Sequence, residues 1–439
     1  MNNKNKPALS KAEGLIPDLR FPEFLNEGEW EEKTIGEVYD FKITNSFSRE
    51  YLNYEKGYLK NIHYGDIHTK FNTLFDITKE RVPFINQDVS IDKIKEENYC
   101  LEGDMVFADA SEDLNDVGKS IELINLNNEK LVSGLHTLLA RQKEPILAIG
   151  FGGYLFKSDR IRKQIQREAQ GAKVLGISAS RIANIKIFYS KNPQEQQKIA
   201  DCLSSLDEVI AAHSQKLALL KDHKKGLMQN LFPQEGEKVP KYRFKEFEED
   251  GEWEEKTVGE IFNSFSGGTP TTSEKKYYGG KIPFIRSAEI DREKTELFLT
   301  EEGLKNSSAK LVNKGDLLVA LYGANSGDSA ISKINGAINQ AILCLQSEYS
   351  NAFTYNFLAL KKDWIVSRFI QGGQGNLSGD IVKSIAIPFP KKQEQQKIAS
   401  CLTSLDALIS AQAEKIAQLK LHKKGLMQGL FPKMSESPI

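Results

Sequence analysis

The sequence contains the same two segments twice, and this internal repeat limits the possible fold more than any other feature. Residues 194–233 and 393–432 are identical at 28 of 40 positions when they are aligned at an offset of 199. A second pair, RFPEFLNEGEWEEKTIGEV at 20–38 and RFKEFEEDGEWEEKTVGEI at 243–261, is offset by 223. The chain is therefore a leading segment, a variable domain and a conserved helical segment, repeated once.

The conserved helical segments predict two long helices that pair along one apolar seam. Apolar residues recur in alternating steps of three and four, which places them on one stripe of a helix. About 37 residues correspond to a rod of roughly 55 Å, which favours a two-helix antiparallel coiled coil over an ordinary core helix. The seam positions are Leu203, Leu206, Ile210, Leu217, Leu220, Leu227, Leu402, Leu405, Ile409, Ile416, Leu419 and Leu426.

The ends of these helices also carry sequence signals. Asn192 and Pro193 predict an N-cap followed by a first-turn proline, and Glu195 is expected to complete a capping box. Pro233 and Pro432 are expected to end the two helices.

The variable segments predict a compact α/β or α+β domain in each half. MVFA at 105–108 and LLVALY at 317–322 are typical of strands, and residues 158–173 predict a basic helix. The predicted organisation is a flexible N-terminus at 1–16, a domain at 17–190, a helical spacer at 191–233, a domain at 234–390, a helical spacer at 391–432 and a tail at 433–439.

Charge and composition limit the function classes. Lysine and arginine number 59 and acidic residues 60, for a net charge of −1. Proteins that bind nucleic acid alone usually have a clear basic excess, so this balance argues against a chain that binds DNA or RNA alone and leaves open local basic patches or a partner that supplies positive charge. No apolar stretch approaches the about 18 residues of a membrane span, and the N-terminus has no signal-peptide core, so a cytoplasmic protein without membrane contact is expected. The four cysteines form no CxxC pair and are interpreted as structural thiols.

Motifs for catalysis are missing from the sequence. Gly118-Lys119-Ser120 resembles the end of a P-loop, but Asp113 occupies the position of the required first glycine. There is no Pro-Pro dipeptide, which excludes the catalytic loop of an amino-methyltransferase, and no HExxH pair of metal ligands. The chain is therefore expected to be neither an enzyme nor a metalloprotein.

The repeated motifs resemble those of one family. QEQQKIA at 194–200 and 393–399, the following LxSLD and KKGLMQxLFP, and the RFxEF…GEWEEKTxGE leading segments are similar to the specificity subunit of Type I restriction–modification systems. GDMVFA, GDLLVA and the approach to IPFP at 376–390 resemble its target-recognition domains. The resemblance covers the chain from about residue 17 onward.

This resemblance implies the fold, function and partners. The fold would be two α/β (α+β) target-recognition domains joined by two long antiparallel coiled-coil helices in an internal pseudo-two-fold repeat. Each domain would read one half of a bipartite target in double-stranded DNA. Two modification subunits that use S-adenosylmethionine and two restriction subunits that use ATP and magnesium would dock on the chain, which itself would need no cofactor.

Polar, basic and aromatic residues beside the predicted strands are the candidates for contact with DNA. Arg286 is the first candidate for reading a base, because arginine to guanine is the commonest specific contact, with a salt bridge to Glu289 as the alternative role. Its counterpart in the first domain is His63. The full set is His63, Tyr64, His68, Lys70, Lys173 and Arg181 in the first domain, and Thr269, Thr271, Ser273, Lys275, Lys276, Tyr277 and Arg286 in the second.

Two other functions compete with DNA recognition at this level. One is a structural adaptor whose two α/β domains bind proteins. The other is a fused methyltransferase–nuclease, which the missing motifs disfavour.

Overall fold

The computed structural model describes residues 15–369 and 376–433, and the chain divides into two compact units. The first unit contains described residues up to 213 and from 415 onward, and the second contains those between 214 and 414. Both boundaries fall inside the long helices, so each unit holds one variable domain and a part of each helix. Most of the segment predicted to be flexible (1–14 of 1–16) and of the predicted tail (434–439 of 433–439) lies outside the described residues.

The first domain consists of short strands and helices. Its strands are β1 (Glu31–Thr34), β2 (Tyr39–Lys42), β3 (Leu52–Asn53), β4 (Lys60–Ile62), β5 (Leu74–Asp76), β6 (Phe84–Ile85), β7 (Met105–Ala108), β8 (Ala110–Ser111), β9 (Ser120–Asn125), β10 (Leu131–Ser133), β11 (Thr137–Gln142), β12 (Leu175–Gly176) and β13 (Lys186–Tyr189). Its helices are α1 (Ile35–Val38), α2 (Tyr64–Thr69), α3 (Phe151–Leu155), α4 (Asp159–Glu168) and α5 (Ala179–Ala183). The first long helix, α6 (Pro193–Leu231), follows.

The second domain repeats this plan with fewer strands. Its strands are β14 (Glu254–Thr257), β15 (Asn263–Ser266), β16 (Tyr278–Ile285), β17 (Leu297–Leu299), β18 (Lys310–Val312), β19 (Leu317–Ala320), β20 (Ser329–Ile331), β21 (Gly336–Ile338), β22 (Ile342–Gln346) and β23 (Ala386–Phe389). Its helices are α7 (Val258–Ile261), α8 (Glu301–Lys305), α9 (Asn351–Phe369) and α10 (Gly379–Ser384), and the second long helix is α11 (Lys392–Leu430).

The larger sheets of the two domains have corresponding strand orders. In the first domain the orders are β2-β11-β7-β9-β5 and β10-β4-β6-β3, and in the second they are β15-β22-β19-β20 and β17-β16-β21-β18. Most neighbours are antiparallel, but β4 and β10 are parallel, and so are β16 and β21. This parallel pair therefore recurs in both domains.

The two conserved segments of each half meet in the folded chain. β1 pairs with β13 and β14 pairs with β23, so the two ends of each variable domain lie side by side. The T-x-x-E motif then starts a short helix, because the Glu37 carboxylate accepts a 2.6 Å hydrogen bond from the Thr34 backbone N–H. Thr257 and Glu260 form the same bond at 2.6 Å in the second domain.

A buried ion pair ties each leading segment to the start of a long helix. Arg20 donates from Nε and Nη2 to the Glu195 carboxylate at 2.6 and 2.8 Å, and Arg243 donates in the same way to Glu394 at 2.8 and 2.8 Å. Each glutamate side chain is only 1% exposed. The predicted capping box at Glu195 is therefore wrong, because this carboxylate binds Arg20 rather than the N-cap backbone. The N-cap itself is present, since Asn192 Oδ1 accepts from the Gln194 N–H at 2.9 Å.

The long helices are antiparallel within each unit. In the first unit, Ile199 of α6 shares a core with Leu430 of α11, and further along α6 Asp207 binds Lys423. In the second unit, Lys224 binds Asp406 in the equivalent way. The seam positions are buried or half-buried, whereas most of their neighbours on the helices are exposed. The predicted fold class, two α/β domains with two long antiparallel helices, is confirmed.

Two local predictions have different outcomes. β7 and β19 confirm the strands predicted at 105–108 and 317–322, and the long helices end at Leu231 and Leu430, two residues before each proline. The basic helix predicted over 158–173 is shorter, because α4 ends at Glu168 and Gln170 pairs with Gly176. Gly171 then has a φ of 134°, a backbone conformation that interrupts a helix.

Aromatic residues form the core of each unit. Trp30 contacts Phe151 and Phe431, with ring centroids 5.9 and 6.0 Å apart. In the second unit Phe353 packs on Trp253 and Phe232 in the corresponding arrangement. The conserved LFP sequence after each long helix therefore supplies a phenylalanine to a domain core. Among the described residues, no helix is long and apolar enough to cross a membrane.

Candidate nucleic-acid interface

The candidate interface of each domain lies where two parallel strands end. In the first domain, His63 and Tyr64 follow β4, and the turn 134–136 follows β10. In the second domain, Arg286 follows β16 and the turn 339–341 follows β21. Because the carboxyl ends of parallel strands meet at one edge, the loops beyond them converge, which is the usual place for a ligand in open α/β sheets.

An aromatic group that we call the histidine cluster occupies this edge in the first domain. It consists of Tyr64 with His63, His68 and His136, whose ring centroids lie 4.7, 6.1 and 5.3 Å from that of Tyr64. The sequence prediction included three of these residues and missed His136. The sequence carried no signal for it, because His136 reaches Tyr64 only through the fold; it has a left-handed φ of 54° in the turn between β10 and β11. Its Nδ1 lies 3.1 Å from the Asp109 carboxylate.

A buried carboxylate positions basic side chains beside this cluster. Asp66 accepts bonds of 2.8 and 2.9 Å from the two terminal nitrogens of Arg49, and 2.8 Å from Lys70 Nζ. Although burial opposes ionisation, these hydrogen bonds hold the pKa of Asp66 below its usual value. Lys70 also donates to the Tyr54 hydroxyl at 2.8 Å. Arg49 is thus a second residue of this surface that sequence reasoning missed, since it is distant from Asp66 in the chain.

His63 presents a hydrogen-bond donor at this edge. Burial and the neighbouring Arg49 lower the pKa of His63 to about 4, so its imidazole is neutral at neutral pH. Its Nδ1 accepts from the Gly65 backbone N–H at 3.1 Å, which leaves the proton on Nε2. A neutral ring with a fixed Nε2–H can donate to a base acceptor or to a phosphate oxygen.

The remaining two residues predicted for the first domain lie nearby in different settings. Lys173 is exposed in the loop before β12, and β12 pairs with β8, where the Ala110 carbonyl lies 3.0 Å from His68 Nε2. Arg181 is paired with Glu168 at 3.2 Å at the end of α4. Lys173 is therefore presented toward solvent, whereas Arg181 holds two helices together.

A cavity of about 390 Å³ occupies the corresponding edge of the second domain. Thr269 and Arg286, both predicted from sequence, line it together with Tyr278, Leu297 and Asn339. The Thr269 hydroxyl donates to the Gln340 side chain at 2.6 Å, which ties the 269–277 loop to the turn beyond β21. The cavity thus combines an arginine, small polar side chains and an apolar wall, a mixture suited to the edge of a base pair.

Arg286 is held by two glutamates at the rim of this cavity. Its Nε and Nη2 donate to the buried Glu289 carboxylate at 2.9 and 3.1 Å, and Nη2 also donates to Glu296 at 2.5 Å. These carboxylates raise the pKa of the guanidinium further above its usual value. The salt bridge weighed as the alternative role for Arg286 is therefore present, and it leaves 37% of the arginine side chain exposed.

The other predicted residues of the second domain lie on the loop that borders the cavity. Lys276 binds Glu302 at 2.6 Å and lies 5.3 Å from the Tyr277 ring. Thr271, Ser273 and Lys275 are exposed. This loop presents polar and basic groups of the kind that contact the sugar-phosphate backbone. Within residues 15–369 and 376–433, no group of three His, Cys, Asp or Glu side chains is arranged to hold a metal ion.

The sequence matches the family model described as the Type I restriction modification DNA specificity domain twice, over residues 27–222 and 250–421. It is similar to the putative type I restriction enzyme MjaX specificity subunit of Methanocaldococcus jannaschii, with 26% identity over 360 residues, 78% of this chain and 81% of that protein. The putative type I specificity subunit S.MgeORF438P of Mycoplasma genitalium is 24% identical over 322 residues, 73% of this chain and 80% of that protein.

The fold is similar to that of a solved S subunit. The crystal structure of the Type-I restriction-modification system S subunit from M. genitalium matches with a TM-score of 0.60 at 18% identity, over 95% of this chain and 100% of that chain. At this identity the likeness concerns the fold, namely two domains with two long helices.

Proposed function

The chain belongs to the Type I restriction modification DNA specificity family, and we propose that it is the DNA-reading subunit of a Type I restriction–modification complex. In this proposal the first domain reads one half of a bipartite duplex target and the second domain reads the other half. The chain itself carries out no chemistry and needs no cofactor.

One observation carries this proposal: equivalent edges of the two domains present different side chains on a shared scaffold. At the ends of the parallel strand pairs, the first domain presents the histidine cluster and Arg49, and the second presents Arg286 above a polar and apolar cavity. The scaffolds below them share their central strands, because β2-β11-β7-β9 corresponds to β15-β22-β19-β20 and β10-β4-β6 corresponds to β21-β16-β17. Different hydrogen-bonding groups on equivalent edges are what two unlike half-sites require.

The charge balance supports a complex rather than a chain that acts alone. A net charge of −1 provides little general attraction for duplex DNA. We therefore propose that two modification subunits, which use S-adenosylmethionine, enclose the DNA and methylate adenine. Two restriction subunits that use ATP and magnesium complete the assembly, which works in the cytoplasm.

The long helices are proposed to set the spacing between half-sites and to dock the partner subunits. Each has 39 residues, which corresponds to about 58 Å of helix. A rod of this length can separate two recognition domains by about one turn of DNA, near 34–36 Å. The target is thus expected to be asymmetric, with unread base pairs between its halves.

Methylome sequencing of cells with and without this gene tests the proposal. Loss of one bipartite adenine-methylation motif on deletion is expected. Exchange of residues 265–389 for the corresponding segment of a relative should then change one half of that motif only. A motif that survives deletion would favour a protein-binding adaptor instead, and a change in both halves would contradict the modular assignment.

Arg286 provides a test at the level of one residue. Arg286→Ala is expected to reduce discrimination in the second-domain half-site by about 1–3 kcal/mol. Lys276→Ala is the matched control, because this lysine lies on the bordering loop and should weaken binding to all sequences about equally. Unchanged discrimination in Arg286→Ala, with altered thermal stability, would assign Arg286 to the salt bridge alone.

A further inference from the structure

A second cavity, in the first unit, is lined by lysines and lies apart from the β4–β10 edge. It has a volume of about 260 Å³ and lies between the turn that precedes α4 and the last turns of α11. We call it the lysine pocket, and its four cationic residues are Lys157, Lys420, Lys423 and Lys424.

Carboxylates neutralise only part of this charge. Lys423 binds Asp207 at 2.5 and 2.6 Å, and the Tyr154 hydroxyl donates to the same carboxylate at 2.9 Å. Asp159 is the one acidic residue in the lining, and it accepts from Gln428 at 3.2 Å. Within the described part of the chain, Lys157, Lys420 and Lys424 have no ion pair within 4.0 Å, so the pocket holds a surplus of positive charge.

Lys157 is the member of this group for which burial and neighbouring positive charges act together. It is half-buried, and its Nζ donates to the Thr73 hydroxyl at 2.5 Å rather than to a carboxylate. Burial and the charges of Lys423, Lys119 and Arg162 lower the pKa of Lys157 to about 8, against a smaller opposing effect of Asp207. An ammonium group held among like charges in a partly desolvated position is stabilised when an anion binds beside it.

The second unit lacks the complete set of lysines. Phe151 packs on Trp30 as Phe353 packs on Trp253, so these two phenylalanines correspond. Lys157 lies six residues after Phe151 and Ala359 lies six residues after Phe353, so Lys157 corresponds to Ala359. The helix lysines do have counterparts, since Lys221 and Lys225 stand 199 positions before Lys420 and Lys424. The pocket is thus a property of one half of a duplicated scaffold.

We propose that the lysine pocket binds a phosphate group. One N–H of Lys157 already binds Thr73, so Lys157, Lys420 and Lys424 offer eight N–H donors at most, and a tetrahedral phosphate oxyanion can accept several of them at once. A phosphate dianion would balance the surplus charge, and the volume admits a phosphate or diphosphate group. A free phosphate ion and a nucleic-acid backbone present the same oxygens, so both are sources of such a group.

Calorimetric titration of the full-length protein with sodium pyrophosphate at pH 7.5 tests the proposal. One site per chain is expected, and Lys420→Gln/Lys424→Gln should weaken it by about tenfold or more because two charged hydrogen bonds are lost. Lys221→Gln/Lys225→Gln is the matched control and should leave the affinity unchanged. Far-ultraviolet circular dichroism and thermal melting of each variant verify that it is folded.

Lys157→Met and pH provide an independent readout. The variant should abolish most of the binding, and in the unaltered protein the affinity should fall as the pH rises from 7 to 9 and Lys157 loses its proton. Absence of saturable binding, or equal weakening by the control variant, would overturn the proposal.

A competition with a DNA duplex of unrelated sequence distinguishes the two sources of phosphate. Displacement of pyrophosphate by the duplex would assign the pocket to the DNA backbone. In that case the slope of log binding constant for DNA against log salt concentration should also fall in magnitude by about two in the Lys420→Gln/Lys424→Gln variant. Pyrophosphate binding that the duplex does not displace would assign it to a free phosphate ion. Both outcomes support a phosphate site and differ only in its source.

Discussion

The buried arginine–glutamate pairs lead to a quantitative prediction about what holds each leading segment to its helix. The Glu394 side chain is 1% exposed, and Arg243→Met removes both arginine hydrogen-bond donors that its carboxylate accepts at 2.8 Å. Removing one partner of a buried ion pair typically costs about 3–5 kcal/mol, mainly because the remaining charge is desolvated. We expect a loss of this size in the free energy of unfolding of the second unit.

The first unit contains a matched variant with a smaller expected effect. Glu195 accepts a further bond of 2.5 Å from the hydroxyl of Ser190, which follows β13, whereas Pro390, which follows β23 in the second domain, has no hydroxyl. A hydrogen bond to a charged group is worth about 1.5–3 kcal/mol, so Arg20→Met should destabilise the first unit by only about 2 kcal/mol. The difference between the two variants thus measures the contribution of Ser190.

Hydrogen exchange measured by mass spectrometry can assign each loss to its own unit. Peptides that cover β1 and α1 report on the first unit, and those that cover β14 and α7 report on the second. Arg243→Met/Glu394→Met should recover most of the lost free energy, because it removes the unpaired charge as well. A loss below about 1 kcal/mol in Arg243→Met, or a larger loss in Arg20→Met than in Arg243→Met, would refute this reasoning.

Three further predictions concern the helices and the interface. Lys423→Glu should destabilise the first unit by about 1 kcal/mol, and adding Asp207→Lys should restore part of the lost free energy of unfolding. A double-mutant cycle measured by urea denaturation gives the coupling energy between the two residues, and a value of zero would contradict the pairing. Inserting one heptad into each long helix, after positions 213 and 414, adds about 10.5 Å of helix. The preferred spacer should then lengthen by about three base pairs while the half-sites stay the same. An unchanged spacer in the methylome would show that the helices do not set it. The pKa of His63 is lowered from 6.5 to about 4, so between these pH values the unfolded chain binds more protons and the free energy of unfolding should fall as the pH drops. His63→Gln should flatten the plot of unfolding free energy, measured in urea, against pH in this window. An unchanged plot would argue against a neutral His63.

Local and periodic features could be predicted from the sequence because they depend on spacing alone. The steps of three and four along 194–233 and 393–432 place one stripe of apolar residues on each helix, whatever the helix packs against. The duplication itself indicated two copies of one domain, and short runs such as Met105–Ala108 were recognisable as strands from their β-branched and aromatic content.

Contacts between residues distant in the chain were decided only by the tertiary structure. Glu195 is typical of a capping box by its spacing, yet an arginine 175 positions earlier in the chain competes successfully for its carboxylate. Arg49 and His136 escaped prediction for the same reason. Arg49 comes beside Asp66 when β3 pairs with β6 and β6 with β4, and His136 comes beside Tyr64 when β10 pairs with β4. A single sequence records which groups are present, but burial and partner geometry determine their charge and orientation, and these arise only when distant segments pack together.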